Sequence, residues 1–178
     1  MAAEPEKRQE FIELLELNRK MVFKVTNTYC RRQQDRDDLT QEIMGQLWRA
    51  FPAYDPARSF STWMYRIALN VAIAFVRSQN RRQTVSLDDQ LHDLADRCGN
   101  DPDLDEHIRE LYCFIDQLDQ LNRALLLLYL EERSDREISE ILGITETNVA
   151  TKIGRLKVQM NRDLNPDKTE LERPNGTR

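Results

Sequence analysis

Hydrophobic residues recur at steps of three and four through the first half of the chain, which predicts three amphipathic helices. The first helix is expected to follow a frayed polar segment, residues 1–8, and to end near Arg31–Gln34. Asp35, Asp37 and Asp38 are candidate N-caps for the second helix. The apolar stripe of the second helix comprises Leu39, Ile43, Leu47 and Phe51. The buried side of the first comprises Phe11, Leu14, Leu15, Asn18, Met21, Val22, Val25 and Tyr29.

The third predicted helix, residues 60–82, is apolar around most of its surface and has a narrow polar strip. Its broad apolar face comprises Trp63, Met64, Ile67, Ala68, Val71, Ala72, Ala74 and Phe75. The polar strip comprises Thr62, Arg66, Asn70, Arg77 and Arg81. Guanidinium and amide groups on one edge suit phosphate oxygens and base edges, and the aromatic residues at the start could stack on an unpaired base. The alternative is a core helix with a solvated edge.

Helical periodicity fails between residues 83 and 106, where seven aspartates are mixed with glycine, asparagine and proline. This composition is typical of a flexible linker. The apolar block Leu121–Leu130 is too short to cross a membrane and predicts a buried helix. The polar residues 165–178 contain two prolines and predict a disordered tail. The sequence therefore predicts an all-α fold of two small helical domains, 9–82 and 107–164, joined by a flexible acidic linker, 83–106.

Charge is distributed unevenly along the chain, whose formal net charge is −5. Residues 1–82 carry 14 basic and 10 acidic side chains, whereas residues 83–107 carry one basic and eight acidic side chains. The acidity is therefore concentrated in one short segment beside a basic first domain. The negative total charge does not exclude binding to nucleic acid.

The residue types on which disulfide formation, metal binding or catalysis depend do not form motifs in this sequence. Cys30, Cys98 and Cys113 are odd in number and form no C-x-x-C pair, so we expect buried thiols. His92 and His107 have no paired cysteines beside them, so we expect no metal site. The chain has no glycine-rich phosphate loop and no nucleophile with a base, which argues against an enzyme or a cofactor. It also has no bilayer-spanning run and no signal-peptide pattern, so we expect a cytoplasmic protein without membrane insertion.

A short helix, a glycine turn and a capped second helix follow one another after Ser134, the pattern of a helix-turn-helix. Ser134 and Glu137 form a predicted capping box, Gly143 supplies a left-handed turn residue, and Thr145 caps the second helix. The inward positions of that helix are Val149, Ile153, Leu156 and Met160. Its opposite face, which suits a DNA major groove, comprises Thr147, Asn148, Thr151, Lys152 and Arg155. The alternative is a helical hairpin in an all-α adaptor.

Three motifs in this order resemble the extracytoplasmic-function (ECF, group IV) class of bacterial RNA polymerase sigma factors, which retains conserved regions 2 and 4. The motifs are Asp38-Leu39-Thr40-Gln41-Glu42 with Leu47-Trp48, the segment from Phe60 to Asn70, and the helix-turn-helix from Ser134 to Leu156. The resemblance implies region 2 over 9–82 and region 4 over 107–164. It also implies a non-enzymatic alternative sigma factor that binds core RNA polymerase and promoter DNA and directs promoter-specific initiation.

The resemblance further implies roles for individual residues. In the family, the helix that carries the first motif docks on the clamp coiled coil of RNA polymerase, and the corresponding residues here are Asp38, Leu39, Gln41 and Glu42. The loop and third helix recognise and melt the −10 element, which implicates Tyr54, Asp55, Phe60, Ser61, Trp63, Arg66, Asn70, Arg77 and Arg81. The helix-turn-helix reads the −35 element, which implicates Thr145, Thr147, Asn148, Thr151, Lys152 and Arg155. Trp63 could equally be a core residue.

The resemblance also bears on the linker and on partners. In the family the connector passes through polymerase channels, so the acidic linker could mimic a phosphate backbone, although a solvated tether is the simpler interpretation. An anti-sigma factor is an expected further partner. A different hypothesis is a stand-alone helix-turn-helix regulator with an N-terminal helical interaction domain.

The chain departs from the family pattern at three places. Ala74 occupies a position that is often acidic, and Ala150 follows Val149 where a basic residue is frequent. Glu132-Arg133 stands where the turn before the helix-turn-helix usually includes glycine. These departures concern promoter preference more than membership of the class.

Overall fold

The chain divides into two compact units, and a computed structural model describes residues 3–83 and 106–164. Every regular element in these two ranges is a helix, which confirms the predicted all-α fold there. The predicted acidic linker and C-terminal tail lie outside the described residues, except that Gln83 ends one helix and Glu106 begins the next.

The N-terminal unit consists of α1 (Ala3–Tyr29), α2 (Gln33–Ala50), a 3₁₀ turn (Phe51–Ala53) and α3 (Phe60–Gln83). The first helix already begins at Ala3, so the prediction that residues 1–8 are frayed is wrong from that residue onward. Leucine and isoleucine residues of α2 are fully buried against α1 and α3. This packing accounts for the predicted stripe at steps of four, because every fourth residue of a helix returns to the same face.

The start of α2 differs from the sequence prediction. Arg32 is its N-cap, with extended backbone and no capping hydrogen bond from its side chain, so none of the three aspartates is the N-cap. Asp35 lies inside the first turn, where an acidic side chain is favoured by the helix dipole. Its carboxylate accepts a 3.1 Å hydrogen bond from the Gln79 amide on α3. Asp35 therefore connects two helices.

The helices in the second half of the chain, here together called the C-terminal unit, are α4 (Glu106–Gln117), α5 (Gln120–Leu130), α6 (Asp135–Leu142) and α7 (Glu146–Leu164). Both α4 and α5 pack against α7. The Asp119 carboxylate caps α5 by accepting a 2.8 Å hydrogen bond from the Asn122 backbone N–H. Ala124 and the leucines at 125–128 are buried, which confirms the predicted buried helix.

One charged residue, Arg123, is buried within this apolar helix. Its guanidinium donates to the backbone carbonyls of Asp116 at 3.1 Å and Leu118 at 3.5 Å. It also lies 3.8 Å from the Asp116 carboxylate. Because a buried charge requires hydrogen-bond partners, this arrangement ties the start of α5 to the end of α4.

The end of α5 contains a strained residue. Glu132 has a φ of 55°, in the left-handed region that favours glycine. The Glu132 N–H donates to the Tyr129 carbonyl, and the Arg133 N–H donates to the Leu128 carbonyl, as in a Schellman motif. Glutamate therefore occupies the position at which such motifs ordinarily have glycine.

Glu132→Gly is expected to raise the free energy of unfolding of the C-terminal unit by about 0.5–1 kcal/mol. The left-handed conformation costs a side-chain-bearing residue about 1–2 kcal/mol, and the greater freedom of glycine in the unfolded chain offsets part of the gain. Chemical denaturation measures the change. Glu131→Gly is the control and should destabilise, because Glu131 has a negative φ of −84°. Equal effects of the two substitutions would contradict the prediction.

Candidate functional surfaces

Six aromatic rings meet around the end of α2 and the start of α3. They belong to Phe11, Trp48, Phe51, Tyr54, Phe60 and Trp63, here called the aromatic cluster. The Tyr54 ring centroid lies 5.3 Å from that of Phe60 and 5.1 Å from that of Trp63. Ring pairs at such distances add stability beyond their burial. Trp63 therefore packs in the cluster, and its half-buried side chain also retains exposed surface.

The loop that follows Tyr54 is closed by hydrogen bonds. The Asp55 carbonyl accepts from the Arg58 N–H, and the Asp55 carboxylate accepts from the Ala57 N–H, both at 3.0 Å. The Tyr54 hydroxyl donates to the Arg58 carbonyl at 2.7 Å. Burial, together with the Asp55 and Glu10 carboxylates, raises the pKa of Tyr54, so its hydroxyl remains a donor at neutral pH. The loop thus has a fixed shape beside the aromatic cluster.

The exposed side of α3 carries cationic and amide groups. Arg66, Asn70, Arg77 and Arg81 are exposed along this helix and are here called the α3 strip. Their alignment agrees with the polar strip expected from the sequence. Ala74 is exposed as well, so its assignment to the apolar face is wrong.

Two other predicted contact residues of the N-terminal unit are buried. Phe60 is only 7% exposed because it packs in the aromatic cluster, and Leu39 is fully buried in the core of the unit. Neither side chain is available for a surface contact in this structure, which corrects their assignment to the DNA-binding and polymerase-binding sets. Ser61 is half-buried, with its hydroxyl 3.0 Å from that of Ser59.

The outer face of α2 is acidic and polar. Asp38, Gln41 and Glu42 are exposed there and are here called the α2 surface. The buried residues Leu39 and Ile43 alternate with them and hold the helix against the rest of the unit. The α2 surface therefore belongs to a helix whose orientation is fixed by its core side.

The helix-turn-helix has the local geometry that its sequence predicts. The Ser134 backbone N–H donates to the Glu137 carboxylate at 3.0 Å, and the Glu137 N–H donates to the Ser134 hydroxyl at 3.3 Å. Gly143 has a φ of 68°, the left-handed conformation expected at the turn. The Thr145 hydroxyl accepts from the Asn148 N–H at 3.3 Å and caps α7. The predicted capping box, turn glycine and N-cap are all confirmed.

Glu137→Gln is expected to destabilise the C-terminal unit near neutral pH by about 0.5 kcal/mol, the scale of a charged group at a helix N-terminus. The Ser134 backbone N–H and the Arg133 guanidinium hold the pKa of Glu137 below its usual value. Because the folded-state pKa is the lower one, the carboxylate's contribution is complete above about pH 4.3 and is lost as pH falls through the folded-state pKa. Thermal unfolding across this range measures it.

The difference in unfolding stability between wild type and Glu137→Gln should therefore vanish below the folded-state pKa of Glu137. Glu140→Gln, on the exposed side of the same helix, is the control for removal of a carboxylate. A difference that stayed constant with pH would contradict a role for the ionised carboxylate in the capping box.

The outward face of α7 is polar, whereas Val149, Ile153 and Leu156 are buried on its inner side. The outward residues, here called the α7 face, are Thr147, Asn148, Thr151, Lys152 and Arg155. All of them are exposed except Lys152, which is half-buried. The Thr151 hydroxyl donates to the Thr147 carbonyl at 2.8 Å, so it can offer only its acceptor lone pairs to a ligand.

The two units correspond to two known sequence families. The Sigma-70 region 2 family matches residues 14–82, and the Sigma-70 region 4 family matches residues 108–160. One similar protein is the ECF RNA polymerase sigma factor SigM of Bacillus subtilis strain 168, which is 29% identical over 137 residues. The match covers 74% of this chain and 83% of SigM. The chain belongs to the ECF class of RNA polymerase sigma factors. As an alternative sigma factor, it directs transcription initiation.

Other sigma factors have similar sequences and folds. CnrH of Cupriavidus metallidurans is 27% identical to this sigma factor over 143 residues, which are 75% of each chain. The solved structure of CnrH with the cytosolic domain of CnrY has a TM-score of 0.66 at 20% identity and covers 90% of both chains. RpoE of Bartonella quintana, solved with the anti-sigma factor NepR, has a TM-score of 0.71 at 16% identity over 89% of this chain and 99% of RpoE.

Two further observations concern the described residues of the sigma factor. Residues 3–83 and 106–164 contain no cluster of three or more side chains suited to hold a metal ion. Within the same ranges, none of the helices combines the length and hydrophobicity needed to cross a bilayer.

Three members of the aromatic cluster and the buried Arg123 were not predicted from the sequence. Phe11 and Phe51 were predicted only as helix-stripe residues, and Trp48 was named in a family motif, because a ring contact between distant segments leaves no local pattern. The single usable signal was the density of aromatic residues on both sides of the loop after Phe51.

Proposed function

We propose that the two units of this sigma factor divide promoter recognition between them on behalf of core RNA polymerase. The N-terminal unit recognises and melts the −10 element, and the C-terminal unit reads the −35 element. The observation that carries the proposal is the α3 strip: three arginines and an asparagine are exposed along a helix whose start is held by the aromatic cluster. A cationic strip beside exposed aromatic surface suits both strand separation and capture of unpaired bases.

In the N-terminal unit, the residues that act on the −10 element are Tyr54, Asp55, Ser61, Trp63 and the α3 strip. The arginines bind backbone phosphates, and the asparagine amide reaches a base edge. The partly exposed Trp63 ring stacks at the edge of the opened duplex. The turn closed by Asp55 presents its backbone and the Tyr54 ring to an extruded base. The energy of such stacking, about 1–3 kcal/mol per base, offsets the cost of unstacking.

In the C-terminal unit, α7 enters the major groove of the −35 element. Thr145 and Thr147 lie at the N-terminal end of the helix, where backbone N–H groups and the helix dipole favour a phosphate. Asn148 and Arg155 have the side chains that read adenine and guanine edges. Lys152 supplies a further cationic contact. The rigid Gly143 turn fixes the angle at which α7 meets DNA.

Core polymerase binds the α2 surface. Exposed acidic and amide groups on a rigid helix favour a basic partner surface. The protein acts in the cytoplasm and contributes no catalytic chemistry of its own. An anti-sigma factor binds it when it is inactive, a proposal supported by the RpoE relative, which was solved with an anti-sigma factor.

Asp38→Ala combined with Glu42→Ala is expected to weaken binding to core polymerase by about 1–2 kcal/mol, roughly fivefold to thirtyfold. Both carboxylates are exposed, so the fold should be preserved. Competition against a labelled wild-type protein for core polymerase measures the loss. The control is Glu13→Ala combined with Glu16→Ala, which removes the same charge from exposed positions of α1. Equal binding of the two double variants would contradict the proposed docking surface.

A further inference from the structure

Residues 54–59, the segment before α3 that we propose to contact the −10 element, are here called the −10 loop. The aromatic cluster extends beyond this loop to the first helix. Phe11 of α1 is only 6% exposed, and its ring centroid lies 5.0 Å from that of Phe51, at an interplanar angle of 61°. Phe51 in turn stacks on Tyr54 at 5.9 Å and contacts Trp63 at 6.3 Å. Phe11, which lies 40 residues before Phe51 in the sequence, thus supports one of the rings that orient the loop.

The other side of Phe11 faces a residue of α2. The Trp48 ring centroid lies 5.2 Å from that of Phe11, in an edge-to-face arrangement at 63°. Trp48 is 46% exposed, and it lies two turns after Gln41 of the α2 surface, on the same side of the helix. Ring contacts therefore connect Trp48 of α2 to Phe11 and Phe11 to Phe51. Phe51 in turn contacts both Tyr54 and Trp63.

These ring contacts indicate that Phe11 positions the loop through Phe51. The Tyr54 ring stacks on Phe51 at an interplanar angle of 17°, and Phe11 packs against Phe51. Phe11 therefore supports one of the rings that hold Tyr54 in place. A smaller or flexible side chain at position 11 would leave a void beside Phe51. Protein cores transmit such changes to neighbouring side chains because their packing is dense.

We propose that Phe11 is a positioning residue for promoter opening: it holds the −10 loop through Phe51, and its contact with Trp48 connects this loop to the polymerase-docking helix. Phe11 itself touches neither DNA nor polymerase. The inference rests on the proposed function of the −10 loop and the α2 surface. It adds Phe11, a residue outside both the −10 loop and the α2 surface, to the residues that promoter opening requires.

The test compares Phe11→Leu with Phe23→Leu in the full chain reconstituted with core polymerase. Phe23 lies on the same helix and is 67% exposed, so it controls for loss of a phenylalanine ring from α1. Three quantities are measured on a promoter that wild-type holoenzyme opens: affinity for core polymerase, affinity for the closed duplex, and the rate of opening. The same promoter with a pre-opened −10 bubble is the rescue template. Phe11→Met replaces Phe11→Leu if the leucine variant fails to fold.

The inference predicts that Phe11→Leu slows opening roughly threefold to tenfold, the range expected from losing one or two aromatic contacts. Binding to core polymerase and closed duplex should change less than about twofold, within the error of such comparisons. The bubble template should restore wild-type transcription, and Phe23→Leu should behave as wild type. Phe11→Leu and Trp63→Leu should also be non-additive, because both act through Phe51.

Two results would overturn the inference while leaving the proposed function intact. One is opening by Phe11→Leu at the wild-type rate. The other is a parallel loss of core binding, duplex binding and opening that the bubble template does not rescue, since this would mean that Phe11 only stabilises the fold. Failure of the wild-type holoenzyme to open any promoter would instead reject the proposed function and this inference together.

Discussion

Simultaneous replacement of Lys152 and Arg155 by alanine is expected to weaken binding to the −35 element by about 2–6 kcal/mol, since each cationic base or phosphate contact contributes about 1–3 kcal/mol. The lower limit corresponds to a roughly thirtyfold loss of affinity. Neither side chain belongs to the core, as Arg155 is exposed and Lys152 is half-buried. The loss should therefore appear in DNA binding and not in stability.

The salt dependence of binding separates this effect from a general loss of charge. Each phosphate contact removed should lower the slope of log affinity against log salt by about 0.9. Fluorescence anisotropy of holoenzyme on labelled upstream duplex measures both quantities. The control is Arg162→Ala, which removes an exposed arginine from the last turn of the same helix, where it is paired with Asp163 at 2.8 Å. Equal losses in the control and the double variant would contradict the assignment of the α7 face.

Replacement of Arg123 by alanine is expected to lower the free energy of unfolding of the C-terminal unit by about 3 kcal/mol, because it breaks a buried ion pair from one side. The Asp116 carboxylate is only 18% exposed and would lose its cation. The Asp116 and Leu118 carbonyls would lose a donor, and a cavity would form beside α5. This is the largest effect on stability that we expect from a single residue.

Thermal or chemical unfolding followed by circular dichroism measures this loss. The double variant Arg123→Met with Asp116→Asn should recover part of it, because the methionine fills the volume and no charge remains unpaired. Recovery would show that the stability lost in Arg123→Ala comes mainly from the Asp116 carboxylate, whose contact with Arg123 is removed. If Arg123→Ala unfolded like wild type, the buried guanidinium would have no structural role.

The parts of the fold that the sequence predicted well are those with a local physical cause. The capping box needs only Ser134 and Glu137 three positions apart, and the turn needs a residue that tolerates a φ of 68°, which Gly143 supplies. The outward and inward sides of α7 follow from helical periodicity alone. These local rules identified the helix-turn-helix and most of the exposed residues of the candidate surfaces.

The parts that the sequence did not predict depend on contacts between distant segments. The density of aromatic residues around the loop does not show which rings face inward, so the enclosure of Phe60 by Phe51 and Tyr54 was not predicted. The sequence around Leu39 likewise does not show that Leu39 is buried while its neighbours on α2 form the exposed surface. The N-cap of α2 was also missed, because Asp35 bonds to Gln79 of a different helix. Such tertiary contacts override local preference.

Glu132 illustrates a departure that the sequence identified and the structure explains. The usual glycine is absent, yet the left-handed conformation is kept, because the Schellman hydrogen bonds of Glu132 and Arg133 satisfy the last carbonyls of α5. The turn before the helix-turn-helix therefore has the geometry of a glycine turn at the cost of local strain.

Permanganate reactivity of thymines in the −10 element shows directly whether this sigma factor opens promoters together with core polymerase, when it is measured with this protein alone, core polymerase alone, and both together. We expect −10 thymines to become reactive only when both are present, and run-off RNA then to start at a fixed distance downstream. The joint sample should lose this reactivity when Arg66 and Arg77 are replaced by alanine. Thymines that stay unreactive in the joint sample of wild-type protein and core polymerase, at promoters drawn from the whole source genome, would contradict the account.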